Sequence, residues 1–412
     1  MSSEERIAKK REKLRNRKNR KRRGMLWLLV LPLLIACAFF VLQPGETPAD
    51  FDKSTMKPFG DPAAEPPEIA GEAAELYILN SGQPVYQKNA DERIDPYSIT
   101  KILTCYLALK NLDPEQVVKV SENAATPLEN GTTIYLQAGE KISVKDLLYG
   151  AMLPSGNDAA TALGEAVAGS EKEFAKLMNE QAAEWGCENT HFVNANGWKH
   201  KKQYTTAHDM AIIAAKSFEN EQLREISVTK EYTIGATNKT GERYLKNHTI
   251  AGTKKINNLI FGKTGGWTGK DTTIVTGFRE GELEGVAVVL RTPVKSRRDD
   301  AKKLIQFGPL VTPGFTVAEP GEKVCESAVK GGLGMADLTV DATLLAYPKD
   351  GSSEGVELRI ERDELEAPVA AGQKAGTYTL LVDGREIRSG DLLVLEDVEK
   401  GGFFKRFLHK KK

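Results

Sequence analysis

The chain has 412 residues, room for two or three domains of ordinary size, and its 57 Lys and Arg balance its 57 Asp and Glu. Its four cysteines are too few for a disulfide scaffold, and its five histidines form no His-Glu-x-x-His spacing. Neither a Gly-x-Ser-x-Gly elbow nor a phosphate-cradling glycine loop occurs, which sets aside zinc-peptidase, α/β-hydrolase and P-loop chemistry.

The zero net charge is an average over unlike parts. Residues 1–24 carry twelve Lys and Arg against three Glu, a net of +9. They abut residues 25–42, an uncharged and mostly apolar run of 18 residues. At ~1.5 Å per residue such a helix spans about 27 Å, enough for a bilayer core. A basic flank stays on the cytoplasmic side, which places everything after residue 43 outside. The basic run therefore reads as a topology signal rather than a nucleic-acid site. An uncleaved signal-anchor is the reading carried forward, and a removed signal peptide is the alternative. Leu34-Ile-Ala-Cys37 resembles a lipoprotein cleavage box, but the apolar Ala38-Phe-Phe-Val41 behind the cysteine argues against it. Residues 43–73 are rich in Pro, Ala and Glu and read as an extended spacer.

Residues 74–312 alternate strand and helix patterns. Residues 74–79 and 84–87 predict a hairpin. Helices are predicted over 144–153, ending at Pro154, and over 158–168, 171–185 and 207–218. A strand pair, then helices, then strands predicts one antiparallel sheet with helices packed on it, an α+β domain.

Three short words in this region carry chemistry: Ser98-Ile-Thr-Lys101, Ser155-Gly-Asn157 and Lys263-Thr-Gly265. Each alone is weak. Ser-x-x-Lys also occurs at Ser54, Ser227 and Ser327, and Lys-Thr-Gly also at Lys239. Context chooses between the copies. Ser98 follows Asp95-Pro96 and opens the run Ile99, Ile102, Leu103, Tyr106, Leu107, Leu109, the pattern of a central buried helix. Three residues apart, Ser98 and Lys101 share one face of its first turn. Ser54 lies in a Pro-containing polar stretch, Ser227 leads into a strand pattern, and Ser327 runs into Gly331-Gly332. Lys263 follows Leu259-Ile-Phe261 and precedes two β patterns over 272–278 and 285–290, whereas Lys239 sits in a polar turn. Together the chosen words offer a nucleophile, a base, a proton shuttle and a cationic seat for a carboxylate. Acyl transfer from a peptide ending in a free carboxylate needs that set.

Beyond Pro313-Gly314 the patterns shorten. Strands over 336–345, 355–360, 376–382 and 391–395 predict a small all-β domain over 315–398. Residues 399–412 alternate Phe403, Phe404, Phe407 and Leu408 with Lys and Arg, which fits an amphipathic helix on an anionic membrane or a frayed basic tail. The cysteines Cys37, Cys105, Cys187 and Cys325 read as free thiols.

The motif set resembles that of penicillin-binding proteins and class A β-lactamases. Over residues 74–398 the chain is similar to low-molecular-mass penicillin-binding proteins, the serine-type D-alanyl-D-alanine carboxypeptidases. The likeness extends to Tyr86-Gln-Lys-Asn-Ala-Asp91, Leu153-Pro-Ser-Gly-Asn-Asp-Ala159, Thr190-His-Phe-Val-Asn194 with Asn196-Gly197, Thr206-Ala-His-Asp-Met-Ala211 and Leu365-Glu-Ala-Pro-Val-Ala-Ala-Gly-Gln373. Two departures stand out. Tyr97 occupies a position where the family usually has a small residue, and Gly266-Trp267-Thr-Gly-Lys-Asp271 replaces a Thr/Ala/Gly-rich stretch.

The resemblance implies removal of the terminal D-alanine from peptidoglycan stem pentapeptides through an acyl-enzyme on Ser98, acylation by β-lactams, and a place in cell-wall biogenesis at the bacterial membrane. It assigns Lys101 as base, made neutral by burial and by the nearby Lys263, and Ser155 as proton relay. Asn157 would hold the substrate amide. Lys263, Thr264 and Arg297 would seat the carboxylate, with Gly265 completing the third word. The backbone N–H groups of Ser98 and Gly266 would form the oxyanion hole. No metal, organic cofactor or nucleic acid is implied. A class A β-lactamase, a DD-endopeptidase and an inactive wall-binding homologue remain as alternatives. Gly156 stands where class A enzymes carry aspartate, and no Glu-x-x-Leu-Asn is found.

Overall fold

A computed structural model describes residues 51–249, 258–269 and 271–401. The predicted membrane leader, the basic segment before it and residues 402–412 of the tail lie outside the described residues. Among the described residues no helix is long and apolar enough to cross a membrane.

The sheet that organises the larger part has the order β3-β2-β10-β9-β8, antiparallel throughout. Its strands are β2 (Ala73–Ile78), β3 (Gln83–Lys88), β8 (Leu259–Thr268), β9 (Asp271–Glu280) and β10 (Leu283–Thr292). The central β10 is apolar on both faces because both are covered. Val286, Val288 and Leu290 join one core, while Ala287 and Val289 join another. The first core is filled from α1 (Lys101–Asn111), α3 (Val144–Met152), α4 (Asn157–Ala168), α5 (Glu171–Glu184), α6 (Ala207–Ser217) and α7 (Glu221–Val228). The second is filled by Ala301, Leu304, Ile305 and Phe307 of α8 (Arg297–Val311). The remaining short elements here are β4 (Val117–Lys119), α2 (Glu122–Ala125), β5 (Lys141–Ser143), β6 (Glu231–Ile234) and β7 (Arg243–Lys246). Helix starts follow local chemistry: Ser143, Ser170, Thr206 and Asn220 each accept a hydrogen bond from the backbone N–H three residues on.

The hairpin and the helices expected over 144–153, 158–168, 171–185 and 207–218 are present to within a residue or two. The turn that carries Ser98 differs from expectation. Tyr97–Thr100 form a 3₁₀ turn, and the α-helix begins only at Lys101. Tyr97 enters that turn with φ at +51°, which a regular first α-turn would not allow. In a 3₁₀ turn residues three apart eclipse one another, so the change brings Ser98 and Lys101 closer into line.

The C-terminal part is all β. A six-stranded sheet runs β15-β17-β18-β13-β12-β16, from Val356–Arg362, Lys374–Val382, Arg385–Val394, Met335–Val340, Cys325–Lys330 and Leu365–Glu366 respectively. A three-stranded sheet, β1-β11-β14, shares its core and comprises Lys57–Phe59, Gly314–Ala318 and Leu344–Ala346. Cys105 and Cys187 are free thiols, and all three cysteines among the described residues, Cys105, Cys187 and Cys325, are buried.

The described part of the expected spacer is docked rather than extended into solvent. β1 pairs with β11, and Met56 is buried in the C-terminal core. The Phe59 ring meets Tyr347 edge-on at 5.3 Å. Lys57 bridges Glu319 and Glu322, and the Asp300 carboxylate accepts from the N–H groups of Ala70 and Gly71 at 3.0 and 3.1 Å. An extended stretch leaves its backbone groups free, and a sheet edge supplies partners for them.

Candidate active site

Six elements meet at a cleft of about 560 Å³. The 3₁₀ turn brings Ser98, and α1 begins with Lys101. The loop between α3 and α4 brings Ser155, and α4 opens with Asn157. β8, the edge strand of the sheet, carries Lys263 to Gly266, and α8 opens with Arg297. Residues far apart in the chain converge because α1 and α4 pack on the sheet face beside this edge.

Lys101 is fully buried, and its Nζ has three neighbours: Ser98 Oγ at 3.1 Å, Asn157 Oδ1 at 2.7 Å and the Asn196 carbonyl at 2.6 Å. Burial pushes its pKa well down, and the charge of Lys263 pushes it further. The neighbour chemistry agrees. A neutral amine has two N–H groups for the two obligatory acceptors and one lone pair for the serine hydroxyl.

Lys263, 1% exposed, donates to Ser155 Oγ at 2.8 Å and to the Thr264 carbonyl at 2.9 Å. Burial lowers its pKa to about 7. Thr264 N donates to Thr249 Oγ1 at 3.2 Å. Arg297 Nη1 donates to the Gly265 carbonyl at 3.2 Å, and its buried Nε has no partner among the described residues. Burial, then the neighbouring Arg298, lowers its pKa to about 10. A substituent at Gly265 would stand 2.8 Å from Ser98 N, so this glycine lets β8 approach the Ser98 backbone. Ser155 itself holds φ at +68°, an uncommon conformation for a side-chain-bearing residue.

The loop over 126–140 buttresses the second word. Thr132 Oγ1 donates to the Ser155 carbonyl at 2.6 Å, and Asn157 N donates to the Thr132 carbonyl at 2.8 Å. The Asp158 carboxylate accepts from Ile134 N, Leu136 N and Ala159 N.

All nine residues singled out in the sequence lie in this one neighbourhood. The duplicates do not join it: Lys239 sits in the turn between β6 and β7, and Ser54, Ser227 and Ser327 lie on other elements. Sequence reasoning gave no role to Asn196, whose carbonyl holds Lys101 and whose amide donates to Thr161 Oγ1 at 3.0 Å. It also gave none to Gly197, which packs on the Tyr97 carbonyl, nor to Thr132 and Thr249. The Asn-Gly pair at 196–197, which favours a positive-φ turn, was the available signal. Tyr97 is accommodated by its hydroxyl donating to Asp271 Oδ2, which ties the turn that carries Ser98 to the start of β9.

The sequence profile of the D-alanyl-D-alanine carboxypeptidase family matches residues 61–293, and that of the penicillin-binding protein 5 C-terminal domain matches residues 315–400. The chain is similar to the D-alanyl-D-alanine carboxypeptidase DacF of Bacillus subtilis, 33% identical over 363 residues, covering 82% of this chain and 88% of that protein. DacC of Escherichia coli is 30% identical over 83% of this chain and 88% of its own length. Among solved structures, penicillin binding protein 5 from Haemophilus influenzae superposes with a TM-score of 0.56 at 28% identity, covering 82% of this chain and all of that one. The Streptomyces K15 DD-transpeptidase superposes with a TM-score of 0.55 at 29% identity over 60% of this chain and 99% of its own.

Proposed function

The chain belongs to the D-alanyl-D-alanine carboxypeptidase family, and from that premise we propose how its own residues remove the terminal D-alanine of a peptidoglycan stem pentapeptide. The observation that carries the reading is the buried Lys101 amine, held between two fixed acceptors with Ser98 Oγ as its third neighbour.

Ser98 Oγ attacks the carbonyl of the penultimate D-alanine, and its proton passes to the lone pair of Lys101. The resulting oxyanion is received by the N–H groups of Ser98 and Gly266. Ser155, whose Oγ accepts from Lys263, relays the proton taken up by Lys101 to the departing amine, so Lys101 is neutral again. Lys263, Thr264 and the Arg297 guanidinium hold the terminal carboxylate, which raises the lowered pKa of Lys263 and keeps it charged. Asn157 Oδ1 is taken by Lys101, so its Nδ2 serves the substrate's amide carbonyl. D-Alanine leaves, and water hydrolyses the acyl-enzyme, with Lys101 again accepting the proton and then returning it to Ser98 Oγ. A β-lactam enters by the same first step and is held as the acyl-enzyme.

The reading divides the chain into a catalytic unit over 74–312 and a β unit over 315–398. It takes residues 25–42 as a membrane anchor that places the cleft on the extracytoplasmic side, with the spacer over 43–73 and the tail over 399–412 flanking the two units.

A Ser98→Ala variant tests the assignment. Wild-type protein is expected to bind fluorescent penicillin covalently and to release D-alanine from a pentapeptide. The variant is expected to do neither, and persistent labelling would remove Ser98 from the role.

A further inference from the structure

Two tryptophans meet across the cleft beside the nucleophile. Trp267 lies on β8, one residue beyond Gly266, and remains 47% exposed. Trp198 follows Gly197, whose Cα packs on the backbone joining Tyr97 to Ser98. Both line the cleft, and their rings meet edge to face with centroids 4.7 Å apart. An exposed ring packed on a half-buried one at the mouth of a polar cleft is unspent contact surface.

The order of residues along β8 says what reaches them. Lys263 comes first, at the carboxylate end. Gly265 lies against Ser98 N, and Trp267 lies beyond. A peptide anchored by its carboxylate at Lys263, with its scissile carbonyl at Ser98, can only continue toward Trp267. Lys263 and Trp267 are four steps apart along the strand, about 13 Å. That length takes up the two terminal D-alanines and brings the preceding side chain to the rings.

Charge narrows the chemistry of that side chain. No Asp or Glu lines the cleft among its described residues. Trp198 runs directly into the exposed Lys199-His-Lys-Lys202, and Arg297 stands on the wall. Only Lys199 of the three lysines is seen paired, with Asp95 at 3.3 Å. A rim of this sign attracts an anion.

We propose that Trp198 and Trp267 form a specificity subsite for the residue preceding D-Ala-D-Ala, taking an aliphatic side chain along the rings and its terminal carboxylate toward the lysine-rich loop. The inference rests on the reading of Ser98 and Lys263 given above.

Three N-acetylated tripeptides, X-D-Ala-D-Ala, test it, with X as alanine, lysine or 2-aminopimelic acid. The last two share four methylenes and differ only in the sign of the end group. For the wild-type enzyme kcat/KM for D-alanine release is expected to be about tenfold higher for the aminopimelyl than for the alanyl peptide, with the lysyl peptide below the aminopimelyl one. In Trp267→Ala and Trp198→Ala the aminopimelyl-to-alanyl ratio should fall to within about threefold. A Lys201→Gln/Lys202→Gln variant should narrow the aminopimelyl-to-lysyl gap. Equal rates on all three peptides with wild-type protein would overturn the proposal, whatever the variants do. So would a uniform loss on all three peptides in both tryptophan variants, which is the signature of a merely structural role. Absence of D-alanine release from every peptide would instead overturn the activity on which the subsite depends.

Discussion

Replacing Gly197 with alanine probes how tightly the nucleophile's backbone is held. Gly197 has φ at +84°, and a methyl group added there would stand 1.9 Å from the Tyr97 carbonyl oxygen and 3.0 Å from Ser98 N. An ordinary carbon–oxygen contact is about 3.3 Å, so the two chain segments would have to part by about 1.4 Å. The Tyr97 carbonyl and the Ser98 N–H belong to one planar peptide unit, so an oxyanion donor moves with the carbonyl. A displacement of about 1 Å in a reacting constellation costs roughly 100-fold in rate. The positive φ alone costs the folded state about 1–2 kcal/mol, a fall in melting temperature of at least about 2 °C. The assay is the second-order rate of acylation by fluorescent penicillin, paired with a thermal melt. Gly197→Ala is expected to acylate about 100-fold more slowly while still melting cooperatively. Acylation within about threefold of wild type would show that the peptide before Ser98 tolerates this shift, and the proposed oxyanion geometry would fall.

Lys101→Met keeps the volume of the buried side chain and removes the amine. The acylation rate is expected to drop roughly 10²- to 10⁴-fold, the usual contribution of a general base, and a rate within tenfold of wild type would exclude Lys101 as that base. Lys101 must be neutral to accept a proton, so the rate falls as pH drops through its lowered pKa. Lys263 must be charged to hold a carboxylate, so kcat/KM falls as pH rises through about 7. A bell-shaped profile of kcat/KM for D-alanine release is expected, and Lys263→Arg should carry its alkaline limb upward by more than two pH units. An alkaline limb unmoved by that substitution would assign it to another group.

The residues of the proposed site were legible because each sits in a diagnostic local pattern: Ser98 before a buried helix, Ser155 after a helix stopped by proline, Lys263 on a strand. The sheet was legible for a similar reason, since its strands alternate in period two or run continuously apolar. Beyond the hydroxyls of Thr132 and Thr249, which stand in no motif, what escaped was contributed by backbone. The carbonyl of Asn196 and the bare Cα of Gly197 carry no side-chain signature of their function. The 3₁₀ turn at Ser98 was hidden because a helix pattern resumes at Lys101 without a break in period. Docking of residues 51–72 was hidden because a proline-rich stretch with scattered apolar residues reads alike whether free or laid along a sheet edge. Only its distant partners decide which.

The pairing of β1 with β11 bears on the order in which the molecule is assembled. Lys57 meets Thr316, more than 250 residues further along. On the ribosome β1 therefore emerges without its partner strand and stays so until β11 has followed it. Closing so long a loop is among the slowest kinds of contact to form. Until then an unpaired strand lies open to wrong neighbours. β1, the first of the described strands to be made, is in this sense among the last to find its place.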